Sequence, residues 1–178
     1  MSSKSWNTLF TKRFGCRIPL LGAPMAGVSG GSLAFQTCRA GGLGFIAAGH
    51  FNNKKAFEKL EREIKLFCDL CTSSSSSFPL SIGFIGHSTF GKESPGWDYV
   101  RRILEEHRPE VIQIFAPAIS DALPSEFVSS SSSFHNNVGM CQSYGCQVVA
   151  QVGSVKDGIE AIEAGVDCLI AQGTEAGG

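Results

Sequence analysis

Two glutamines, Gln151 and Gln172, and the glycine-rich turns near them are the residues of this 178-residue sequence best suited to hold a ligand. A side-chain amide offers a donor and an acceptor without carrying charge, which suits the edge of a neutral heterocycle. Backbone N–H groups in turns with little side chain can approach an anionic or flat polar group closely. The turns are Ala23-Pro24-Met25-Ala26-Gly27, Gly49-His50, Gly86-His87, Gln151-Val152-Gly153-Ser154 and Gln172-Gly173-Thr174-Glu175-Ala176-Gly177-Gly178. Together they predict a site for a phosphorylated cofactor. His50 and His87 are candidate bases, although a lone loop histidine is more often merely solvated. Glu175 reads equally well as a solvent-facing charge. No metal-ligand constellation, Gly-x-Ser-x-Gly elbow or P-loop is present, so a metal centre is not expected.

A repeat positions these turns. Gly41 and Gly49, Gly145 and Gly153, and Gly165 and Gly173 are each eight residues apart, and each pair brackets a short apolar run. A helix-like stretch precedes each first glycine, so that glycine is expected to close a helix in the left-handed conformation, with the apolar run forming a buried strand. Strands are predicted over residues 18–23, 43–48, 80–84, 111–116, 147–152 and 168–172. Helices are predicted over 32–40, 54–70 and 97–107, with a further one capped by Ser154 and Asp157. Helix alternating with strand is the pattern of parallel α/β folds, whose ligands sit at the carboxyl ends of the strands. Serine runs at 73–77 and 129–133 fall where loops are expected and read as flexible insertions. Gly27, Gly30 and Gly31 lie between strand and helix, where glycine turns also occur without any ligand. Gly42-x-Gly44-x-x-Ala47 runs from helix into strand, the wrong direction for cradling a dinucleotide phosphate.

The composition is that of a globular chain, 43% hydrophobic and 17% charged. No apolar run is long enough to span a membrane, and a formal charge of -1 argues against a nucleic-acid partner. The seven cysteines are irregularly spaced with no secretory leader before them, which points to a reducing, cytoplasmic setting. Cys68-x-x-Cys71 is expected to be a pair of packed thiols. The first 57 residues lack Asp and Glu, and Trp6, Leu9, Phe10 and Phe14 share one helical face. That pattern fits an organelle transit peptide, but better a short helix lying against the fold ahead of the first strand. At 178 residues a whole (β/α)8 barrel, typically about 250, does not fit.

Three segments carry a family resemblance: Ile18-Pro19-Leu20-Leu21-Gly22-Ala23-Pro24-Met25, Ala40-Gly41-Gly42-Leu43-Gly44-Phe45-Ile46-Ala47-Ala48-Gly49, and Ala171-Gln172-Gly173-Thr174-Glu175-Ala176-Gly177-Gly178. In that order they resemble the nitronate monooxygenases, formerly 2-nitropropane dioxygenases. The resemblance implies a single FMN-binding domain of TIM (β/α)8-barrel type, incomplete, with about six of eight βα units. It implies oxidation of alkyl nitronates by O2 to a carbonyl compound and nitrite. Ala23, Pro24 and Met25 resemble the family turn along the flavin ring. Gln151 resembles a strand-five side chain reaching FMN, and Gln172, Gly173, Gly177 and Gly178 resemble the turn near the ring and phosphate.

Two departures stand beside the likeness. The family's catalytic histidine would directly follow Gly178, and Gly83-Phe84-Ile85-Gly86 stands where the family usually carries an Asn. The fragment is therefore expected to be C-terminally truncated and doubtful as an enzyme, and its open sheet edges to lower solubility or pair with another chain. Three other readings fit the same residues: an FMN-dependent enoyl reductase using NAD(P)H, a non-catalytic flavin-binding or inert module, and a phosphate-binding barrel without flavin.

Overall fold

The computed structural model describes residues 5–90, 96–115 and 131–173. Five strands form one wholly parallel sheet in sequential order: β1 (Ile46–Gly49), β2 (Ser81–Ile85), β3 (Val111–Phe115), β4 (Gln147–Val152) and β5 (Cys168–Ala171). Helices α1 (Leu9–Phe14), α2 (Gly31–Ala40), α3 (Lys54–Ser73), α4 (Gly86–Thr89), α5 (Gly96–His107), α6 (Ser131–Ser143) and α7 (Val155–Glu163) precede and connect them. Sequential parallel strands joined by helices are the arrangement of a (β/α)8-type barrel, present here in part.

The predicted first strand, 18–23, is reduced to a single parallel bridge between Leu21 and Leu43. Leu43 N–H donates to the Leu20 carbonyl and Gly22 N–H to the Leu43 carbonyl, both at 2.8 Å. Pro19 and Pro24 supply no N–H on either side, which shortens the ladder. The second predicted strand begins at Ile46 instead of residue 43. Of the serine runs, Ser73 ends α3 and residues 131–133 open α6, so neither run is wholly loop. The Thr72, Ser73 and Ser74 hydroxyls donate to the Cys68, Asp69 and Leu70 carbonyls, which lets the helix end run on into serine.

The repeat behaves as its first glycines predict. Gly41, Gly145 and Gly165 take φ of 109°, 85° and 83°, the left-handed region that ends a helix cheaply only at glycine. The second glycines are less uniform. Gly49 is also left-handed, whereas a Cβ on Gly153 would meet nothing, so no close approach accounts for it.

Alternation along the strands splits the core into two. Ile82, Ile112, Ile114 and Val148 face outward, where they meet Phe57, Leu60, Ile64 and Phe67 of α3 and Val100, Ile103 and Leu104 of α5. Each such buried side chain contributes about 1.5–3 kcal/mol. Leu43, Phe45, Val111 and Val149 face inward and are closed from below by Phe14, with Phe10 packed beside it. Of the four apolar residues at this end, Trp6 and Leu9 are exposed and only the two phenylalanines pack. Helix α1 is tied to the amino ends of the strands: Arg13 pairs with Asp167, and Gln147 donates to the Arg13 carbonyl at 3.1 Å. At the far side of the sheet, Val155, Ile159 and Ile162 of α7 are exposed. Among the described residues no helix is long and apolar enough to cross a membrane.

All seven cysteines are free. Burial first, and then Cys146 for the one and Glu110 for the other, push the Cys141 and Cys146 thiols up from the ordinary 9.0 to about 12. Because the folded values are raised, their contribution is complete below pH 9 and is lost as pH climbs toward 12. The thermal midpoint is expected to fall across that window. Cys141→Ala should flatten the fall, as a melting series from pH 8 to pH 11 would reveal.

Candidate functional site

The carboxyl ends of all five strands meet at one hollow of about 300 Å³, within the size range of small-molecule sites. Ala23, Pro24, Met25, Gln151 and Gln172, all singled out from sequence, line it together with Ala26, Gly49 and residues of β2 and β3. Gly173 is described but is not part of that lining, and Gly177 and Gly178 lie outside the described residues, as do Glu175 and the neighbouring turn. His50 lines a neighbouring hollow with Lys59 and Glu63, and the His87 side chain lies outside the described residues.

The turn carrying Ala23 to Ser29 is braced internally. Ser29 donates its hydroxyl to the Ala23 carbonyl at 2.8 Å and accepts from the Met25 N–H at 3.1 Å. Its own carbonyl accepts from Ala47 N–H of β1 at 2.7 Å, fixing the turn to the sheet. Pro24 then packs directly over Gly83 of β2, where any Cβ would overlap the proline ring. The departure Gly83-Phe84-Ile85-Gly86 thus has a steric role here: it lets the first turn lie down onto the sheet.

Two residues of the site escape a sequence reading based on strand ends. Gly83 is one. Gln113 is the other, a buried amide in the middle of the apolar strand β3. Its Nε2 donates to Oε1 of Gln151 at 2.8 Å, while its own Oε1 is sealed from solvent with no hydrogen-bond partner among the described residues. Such an orphan costs about 1–3 kcal/mol. The signal was available as the lone polar residue of Val111-Ile112-Gln113-Ile114-Phe115.

Elsewhere the candidates resolve into structure. Gly30 caps α2, and the Gly31 N–H is bonded to the Glu63 carboxylate at 2.8 Å, so this helix start already has its anion within the chain. Gly31 and Gly44 are close-packing positions, against the backbone of α3 and of α2 respectively. Of the expected pair of packed thiols, Cys71 is half-buried but Cys68 is exposed on the outer face of α3, so the two do not pack as a pair; desolvation still raises both thiols, which keeps them protonated and poorly nucleophilic. Glu61, Glu106 and His107 each place one ligand atom within 4.8 Å of the others, but on the outer helices, with Glu106 also paired to Arg102 at 3.3 Å.

A mouth with an apolar floor, small residues and uncharged amides at sequential parallel strand ends matches a known group. The family model described as nitronate monooxygenase matches residues 7–178. The chain belongs to that family. Nitronate monooxygenases from Neurospora crassa and Pseudomonas aeruginosa are 28% identical over 165 residues and 29% over 188. The alignments cover 89% and 95% of this chain but 43% and 51% of those relatives. The chain thus spans about half the length of the curated relatives it matches. Among solved structures, FabK from Thermotoga maritima superposes with a TM-score of 0.71 at 20% identity, covering 96% of this chain and 45% of that one. Nitroalkane oxidase from Streptomyces ansochromogenes gives 0.65 at 21%, covering 94% and 49%. At such identities the likeness establishes the barrel fold.

The residues present fit a flavin. Among the described residues the hollow offers amides without a charged side chain in its lining, a glycine that keeps one wall thin, and a buried carbonyl that lacks a donor.

Proposed function

We propose that this family member binds FMN in the hollow and oxidises alkyl nitronates with O2 to a carbonyl compound and nitrite, in a reducing, cytoplasmic setting. The observation that carries the reading is the convergence of Ala23, Pro24, Met25, Gln151 and Gln172 on one mouth at the strand ends. FMN, when bound, would take electrons from the nitronate and pass them to O2. Ala23, Pro24 and Met25 would lie along its ring, and Gln151 and Gln172 would hydrogen-bond its heteroatoms. Gly173, Gly177 and Gly178 would supply the turn toward the ring and phosphate.

The chain's own part is to orient and to exclude charge. A neutral nitroalkane must first lose a proton from carbon, which requires a positioned base. Among the described residues none of the hollow's lining is a histidine or a carboxylate. The 178-residue chain should therefore act on a pre-formed nitronate and be slower, by roughly 10²-fold or more, on the matching neutral nitroalkane.

The test loads the protein with FMN and adds propyl nitronate, nitropropane or NAD(P)H without O2. Bleaching of the yellow flavin by the nitronate, followed by nitrite release when air is admitted, is the expected result. Bleaching by NAD(P)H alone would favour a reductase, and failure to take up FMN would overturn the proposal.

A further inference from the structure

Gln113 and Gln151 stand on neighbouring strands of the inward face. The β3–β4 register pairs Gln113 with Val149 and Phe115 with Gln151, so the two amides are diagonal neighbours. Gln113 Nε2 donates to Gln151 Oε1 at 2.8 Å, with Gln113 itself only 1% exposed. Across the other side, β2 pairs Gly83 with Gln113, a neighbour with no side chain to cover it.

This direction of donation is the cheaper of the two possible. Turning both amides over would place an NH2 group, with its N–H bonds unmet, in the sealed position now held by the Gln113 carbonyl. Buried orphan N–H groups are rarer in proteins than under-satisfied carbonyls. The carbonyl of Gln151 is therefore taken up, and the end of that side chain left for a ligand is its NH2. A glutamine free to rotate would present oxygen as readily as nitrogen. This one presents a donor.

We infer that Gln113 is a positioning residue that makes Gln151 a fixed hydrogen-bond donor to the flavin, and that it is retained for that purpose at a cost to the fold. The inference rests on the reading of the hollow as an FMN site. A donor aimed at a ring heteroatom strengthens as electron density builds there, so it holds reduced FMN more tightly than oxidised FMN and raises the reduction potential. The sealed Gln113 carbonyl contributes nothing favourable to the empty protein. An apolar side chain of the same length would relieve it.

The experiment titrates oxidised FMN into the full 178-residue chain and measures its two-electron potential in wild type, Gln113→Met, Gln151→Met and the double variant. Gln113→Met is expected to melt no lower than wild type without FMN. It should weaken reduced FMN about tenfold more than oxidised FMN, which lowers the potential by about 30 mV. In the Gln151→Met background the same change should produce no further drop, because Gln113 acts through Gln151. Should Gln113→Met fail to fold, Gln113→Asn keeps an amide one methylene short of Gln151 and should show the same drop.

An unchanged potential in a variant that still binds FMN overturns the inference and leaves the flavin reading standing. A drop that persists when Gln151 is already Met overturns it as well, since Gln113 would then touch the ring itself. Wild type that takes up no FMN overturns both.

Discussion

With FMN in the proposed site, Gly83→Ala should raise its dissociation constant by roughly 10²-fold, equivalent to about 3 kcal/mol of binding. The added Cβ would overlap the Cβ and Cγ atoms of the Pro24 ring. A flexible neighbour could swing aside, but proline has one backbone angle locked and no side-chain rotamer to change. Nor can the turn yield locally, because Ser29 ties Ala23, Met25 and β1 together through three hydrogen bonds. The whole segment from Ala23 to Ser29 must lift, and it carries one wall of the hollow with it. Overpacking of this kind costs about 1–3 kcal/mol of stability as well. Titration by quenching of flavin fluorescence would give the affinity, and a melting curve without FMN would give the stability. Wild-type affinity in Gly83→Ala would mean that the first turn is not part of the cofactor's wall.

How much of this was legible in the sequence depends on whether a residue's role is local. Gly41, Gly145 and Gly165 end helices, and that job is written in the few residues around them. Strand β4 was readable residue for residue, and Ser154 caps α7 by accepting from the Asp157 N–H at 3.1 Å. The first strand was misjudged because its apolar content promised a ladder that Pro19 and Pro24 cut short. Gly30 and Gly31 lie in a strand-to-helix turn of the kind that can hold a ligand, yet what stands against them is Glu63 of α3, by its side chain at Gly30 and its backbone at Gly31, and Gly44 makes room for the backbone of α2. Gly83 faces Pro24 from 59 positions away, and Gln113 meets Gln151 across a strand pair. No periodicity within a window reveals contacts of that separation. Of the residues quoted from family likeness, Ala23, Pro24, Met25, Gln151 and Gln172 share one hollow because each follows or ends a parallel strand or bridge, while Gly173 stands outside that lining.

Gly44→Ala is expected to cost the fold about 3 kcal/mol or more, a larger loss of stability than Gly83→Ala. A Cβ at Gly44 would collide with the Ala34 carbonyl oxygen, and its carbon atoms lie close behind. Those are backbone atoms in the middle of α2, so no rotamer change relieves the clash and the helix itself must move. On its other side α2 has no slack, because Gly31 lies against the Glu63 carbonyl of α3 and donates to that residue's carboxylate. The helix is held between two glycine contacts, and displacing it also strains the Gly44 N–H bond to the Cys38 sulfur at 3.3 Å. The effect should therefore exceed ordinary overpacking, which is about 1–3 kcal/mol. Urea unfolding of Gly44→Ala beside Gly139→Ala separates this account from a general intolerance of glycine replacement. Gly139 sits in α6 with nothing within 4 Å of an added Cβ, so alanine there should stabilise by about 0.4–1 kcal/mol. Equal losses at both positions would show that backbone contact at Gly44 is not what holds α2 in place.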